Sequence, residues 1–146
     1  MRSPAESDAD SRADRRRSVD RPLRAAEWLA WAQGGFFFAS GLWPLLHLPS
    51  FLVVTGPKTD LWLVQTVGGL LAVAGAALML AARRRHVSSE WIFLGAGLAA
   101  VLAAVDVVFV GRGTIPPVYL ADAAVETLIV LAWLAIALRR WRRGRT

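Results

Sequence analysis

Four long apolar stretches separated by short polar links dominate this chain. They run from about Glu27 to Leu46, Leu61 to Ala82, Trp91 to Val110 and Val118 to Leu138. Each holds about 20 residues, which at about 1.5 Å per residue matches a hydrocarbon core of roughly 30 Å. None alternates apolar and polar positions with the two-residue period of a barrel strand. A lone segment in lipid has to satisfy its own backbone hydrogen bonds, so the stretches predict helices. The fold class expected is all-α: a polytopic membrane protein, built as an up-down bundle of four transmembrane helices. Short links favour antiparallel neighbours and hence that topology.

The links carry stop and start signals. Residues 47–60 contain Pro49, Gly56 and Pro57, which predict a helix end and a turn, with Thr59 capping the second helix. In residues 83–90, Ser88 or Ser89 is placed to cap the third helix, and Glu90 suits its positive end. Residues 111–117 predict a tight turn, with Pro117 opening the fourth helix. Three regions follow. Residues 1–24 have no apolar core and predict a disordered cytoplasmic tail. Residues 25–139 form the transmembrane domain, and residues 140–146 a basic cytoplasmic tail. No cleavable signal peptide is expected, because the first apolar run starts late and is too long.

Composition matters once it is sorted by position. The 146 residues are 55% hydrophobic and 19% charged, with a formal net charge of +6. In a soluble chain that basic balance would suggest nucleic acid. Here seven arginines lie in the tail, three in residues 83–90 and five after Leu138. The other two links hold only Lys58 and Arg112, so the division is 15 against 2. The positive-inside rule then places both termini in the cytoplasm and residues 47–60 and 111–117 outside. Trp28, Trp91 and Trp141 mark the inner interface, and Trp43, Trp62 and Tyr119 the outer one. The expected location is a bacterial inner membrane, multi-pass, N-in and C-in. The expected partners are the lipid bilayer, with anionic headgroups at the cytoplasmic Arg clusters, and a second copy or another membrane subunit. No nucleic-acid partner is expected.

The chain has no Cys, which excludes disulfides, a thiol nucleophile and Cys-ligated metal centres. A P-loop, a serine-hydrolase elbow and a dinucleotide-binding glycine motif are missing too. No cofactor or metal site is expected, and catalysis is not the favoured reading.

Ionisable groups inside the spans are the best pointers to function, since Asp at mid-helix costs roughly 2.5–3.5 kcal/mol on insertion. Asp106, Asp122 and Glu126 all fall in the outward half of the third and fourth helices. Asp122 and Glu126 share a face four residues apart. Gln65 and Tyr119 lie at similar depth, and together the five predict an outward-facing pocket within the bundle. His47, Lys58, Asp60 and Arg112 are expected at its lip. Gln33, Ser40 and His47 recur every seven residues on the first helix and are expected to face the same interior. Gly68, Ala72 and Ala76, and likewise Gly95, Ala99 and Ala103, form small-residue faces expected to pack helices together. The competing expectation is a closed polar network, in which Lys58 or Arg112 neutralises Asp106 or Asp122.

The segment Gly35-Phe-Phe-Phe-Ala-Ser-Gly-Leu, followed by Pro49-Ser-Phe, Gly56, Thr66-Val-Gly-Gly-Leu and Gly75, resembles small bacterial four-helix membrane proteins of the DoxX-like kind. That resemblance covers about 45 residues. It implies an accessory membrane subunit, since some members are linked to quinone or thiol redox complexes. The absence of Cys separates this chain from the thiol role, and no functional residue carries over. The first functional expectation is a small integral membrane protein binding a cation, proton or small amphiphile in the acidic pocket. The alternatives are a non-catalytic accessory or scaffold subunit of a membrane complex and, third, a membrane enzyme acting on a lipid or quinone.

Overall fold

The computed structural model describes the backbone of residues 4–145 and the side chains of residues 24–145. Five helices make up the described residues, and no strand occurs among them. They are α1 (Pro4–Leu46), α2 (Leu48–Thr55), α3 (Leu61–Arg83), α4 (Ser89–Gly111) and α5 (Tyr119–Arg143). Three of them, α3, α4 and α5, are long and apolar enough to cross a membrane. A fourth span is added if the apolar part of α1 is taken with α2, which bends away from it by 112°. The protein is therefore all-helical, with the apolar helices of a membrane protein.

Helix α1 reaches back to Pro4, so its backbone is helical through most of the segment expected to be disordered. The side chains of residues 1–23 lie outside the described residues. At the other end, the 47–60 link is not wholly loop. Pro49 sits in the first turn of α2, where its missing N–H costs nothing, so it opens a helix as well as ending one. His47 caps that helix: its Nδ1 accepts the Ser50 N–H at 3.2 Å. Trp43 Nε1 donates to Ser50 Oγ at 2.7 Å, and the Trp43 and Phe51 rings meet edge-on at 5.7 Å. These contacts hold the corner. Thr59 is not the cap of α3; Asp60 occupies that position, and its backbone oxygen accepts from Leu63 and Val64.

The helices pack as two antiparallel pairs, α1 with α3 and α4 with α5, joined mainly where α1 meets α5. The α1/α3 seam is built on glycine. A Cβ on Gly34 would lie 2.7 Å from the Gly75 carbonyl oxygen, and one on Gly68 would lie 2.7 Å from that of Gly41. The two glycines on each helix are seven residues apart, so both pairs stay on one face and the backbones touch at both levels. Ala72 lies buried between them, but Ala76 is exposed. The expected face of Gly68, Ala72 and Ala76 is thus corrected in its last member: Gly75, one residue earlier, continues it.

Across the pairs, a polar knot ties three helices together. Gln33, fully buried on α1, donates from Nε2 to the Gly95 carbonyl of α4 at 2.7 Å. Its Oε1 accepts from Trp133 Nε1 of α5, also at 2.7 Å. Trp133 is itself fully buried and belongs to a core with Ala26, Ala30, Ala82, Val87, Ile92 and Ile136. Nearby, Arg140 Nη1 donates to the Val87 carbonyl at 2.8 Å, which fastens the end of α5 to the link between α3 and α4. Arg24, Arg83 and Arg140 therefore lie at one end of the bundle, which the three basic segments of the sequence adjoin. Lys58 and Arg112 belong to the links at the other end, where a Cβ on Gly56 would approach Pro116 Cγ to 3.1 Å.

Candidate acidic site within the bundle

Helices α4 and α5 bring the three intramembrane acids together. Their register puts Gly95 against Trp133; eleven residues along each helix, in opposite directions, it puts Asp106 against Asp122. The two aspartate carboxyls meet within hydrogen-bonding reach. Glu126, one turn further into the bundle on α5, is close enough to feel both charges. Seven residues inside the start of α5, it lies about 10 Å from that end. Glu126 is 0% exposed and Asp106 6%, while Asp122 is half-buried.

Three oxygens of this cluster are left without a partner. Both carboxylate oxygens of Glu126 and Oδ2 of Asp106 are buried and accept no hydrogen bond. Buried carboxyl oxygens are normally satisfied, because leaving one unpaired costs about 1–3 kcal/mol or more. The cations expected to neutralise them are turned elsewhere. Lys58 donates from Nζ to the Thr55 carbonyl at 2.9 Å and lies over the Tyr119 ring at 5.1 Å. Arg112 is exposed and lies over the ring of Phe109 on its own helix. The closed-network expectation fails on these two contacts.

The other expected site residues divide. Tyr119 and Lys58 do come together at this end of the bundle, both half-buried. Gln65 is exposed on α3, unlike the buried Asp106 and Glu126. Its helical phase carries it just off the glycine face, because the tight α1/α3 seam fixes the rotation of α3. His47 is exposed and caps α2, which leaves it no part in the site. Ser40, on the same expected stripe, is half-buried. Asp60 is exposed, with one oxygen 3.4 Å from Thr59 Oγ1. Gly95 and Ala99 are buried on the α4 packing face, and Ala103 is half-buried on it. Among the described residues, no group of three His, Asp or Glu side chains is arranged to hold a metal ion.

Gln33, expected to face the interior from α1, is the central polar contact of the fold. Its position seven residues before Ser40 was the available signal. No protein-family model matches the chain, and no curated protein or solved structure is significantly similar to it.

Proposed function

We propose that the chain is a small integral membrane protein that binds a proton at the Asp106, Asp122 and Glu126 cluster. The observation that carries this reading is Glu126, fully buried with neither carboxylate oxygen partnered. A buried anionic group is stabilised only by a proton or an opposite charge, and Lys58 and Arg112, the cations of the links at that end, are engaged elsewhere. Tyr119 and Lys58 stand at the outer mouth, where the tyrosine ring and ammonium control entry. The orientation that supports this reading has both termini in the cytoplasm and the acidic end outward. It rests on 15 of 17 Arg and Lys lying in the segments that gather at the other end. The membrane that fits best is a bacterial inner membrane.

The test is thermal unfolding of the purified full chain in detergent, at several pH values and with sodium or potassium varied separately. The unfolding midpoint of the wild type is expected to depend on pH and not on which cation is present. That dependence should vanish in Glu126→Gln and weaken in Asp106→Asn. A dependence carried over intact into both variants, or none in the wild type, overturns the reading.

A second reading, an accessory or scaffold subunit, is favoured by a separate observation. A Cβ on Gly35, Gly69 or Gly97 would meet nothing within 4 Å. Such open small-residue positions on α1, α3 and α4 let a further membrane helix approach closely. Crosslinking in native membranes tests this: a second copy or another subunit should be recovered, and recovery of monomer alone counts against it.

A further inference from the structure

Two helices of this chain end in the same hydrogen-bonded turn with different residues at its critical position. After α4, the Gly113 N–H donates to the Val110 carbonyl and the Thr114 N–H to that of Phe109, both at 2.9 Å. Gly113 has φ 68°. After α3, the Arg85 N–H donates to the Ala82 carbonyl at 3.0 Å and the His86 N–H to that of Ala81 at 3.1 Å. Arg85 has φ 52° and is the sole non-glycine with positive φ among the described residues. Both are Schellman turns, whose left-handed position normally takes glycine because a Cβ is strained there. A strained backbone kept at a charged residue points to a use for the side chain.

That side chain lines a cleft of about 1150 Å³ between α1 and the end of α3. Arg24, Arg83, Glu27, Trp28 and Trp31 line it as well. One carboxylate against three guanidinium groups leaves the cleft net positive. Trp28 is 75% exposed and Trp31 44%, both at the basic end of the bundle. Guanidinium forks match phosphate oxygens in pairs, and exposed tryptophans anchor at the headgroup level of a bilayer. Membrane topology alone does not explain Arg85, because the positive-inside rule counts charge near a span and is indifferent to backbone conformation. Arg83 and Arg84 already supply that charge without strain.

We propose that this cleft is a binding site for the headgroup of an anionic phospholipid, with its phosphate on Arg85, Arg83 and Arg24. The acyl chains run out along Trp28 and Trp31. The site rests on the membrane-crossing reading of the chain. It is independent of the acidic cluster, which lies at the opposite end.

The experiment measures the unfolding midpoint of the full chain in neutral detergent as phosphatidylglycerol, phosphatidylcholine or inorganic phosphate is added. Phosphatidylglycerol should raise the midpoint by several degrees, and the other two should not. Arg85→Gly should raise the midpoint in detergent alone, by relieving the backbone, yet lose at least half of the phosphatidylglycerol shift. Arg84→Ala removes the same charge outside the cleft lining and should keep the shift, as should Glu126→Gln. The proposal is overturned by no phosphatidylglycerol shift in the wild type or by a full shift in Arg85→Gly. An equal loss in Arg84→Ala, or an equal response to inorganic phosphate, overturns it as well.

Discussion

Along α1 and α3 the backbones touch at Gly34 with Gly75 and at Gly41 with Gly68, and no ionisable side chain lies between them. Along α4 and α5 the contact is made by side chains instead: Trp133 over Gly95 at one end, the Asp106 and Asp122 carboxyls near Glu126 at the other. Between its two glycine contacts the first seam leaves no room for a ligand and has every reason to be rigid. The second keeps buried oxygens unpaired, a feature that lowers stability unless something binds there. Gln33 joins the two pairs by bonding from α1 to both α4 and α5.

The largest effect should come from the glycine seam. Gly75→Val places atoms against the Gly34 carbonyl and the Phe38 N–H, which are backbone and cannot move aside. A loss of about 3 kcal/mol or more is expected, read as a drop in unfolding midpoint with loss of the buried-tryptophan fluorescence. Next is Gln33→Met, which keeps the volume but strands the Trp133 N–H and the Gly95 carbonyl; about 2 kcal/mol should be lost. An unchanged midpoint there would show that the two pairs are joined by apolar packing alone. Glu126→Gln should act in the opposite direction and stabilise the ligand-free protein by about 1 kcal/mol, because a buried unpaired acid is replaced by a neutral amide. Destabilisation by that substitution would mean the carboxyl is a structural element, and the contrast between the seams would collapse. The smallest effects are expected from Gln65→Leu and Ala76→Leu, both within about 0.5 kcal/mol, since both positions are exposed.

Much of the fold was legible because period and length are local properties. Leu61–Arg83 was expected to within a residue at each end, since the apolar run stops at the Arg cluster. Helix α5 instead runs through Arg139 to Arg143, because a helix whose carbonyls still find partners does not end at the edge of the apolar region. The α2 corner was missed because Pro49 signals a helix start as readily as a stop, and the hydrogen bond from Ser50 to His47 decides between them. The acids were legible as a group by depth and face. The failure of Lys58 and Arg112 to reach them was not, because it depends on where long flexible side chains find a carbonyl or an aromatic ring.

By itself the chain's pattern determined that this is a protein of apolar helices with its basic segments at one end and three acids in the opposite half. Those are consequences of helix length, helix period and the cost of charge in lipid, all of which act on a segment without reference to its neighbours. Tertiary structure alone decided how each helix is rotated. The glycine seam fixes the rotation of α3, which leaves Gln65 and Ala76 outside and Gly75 inside. The Gln33 bonds fix α4 and α5, which turns Asp106, Asp122 and Glu126 toward one another. A rotation of a few tens of degrees changes none of the sequence signals, yet it determines which groups meet, because close packing admits one arrangement of backbones and side chains at a time.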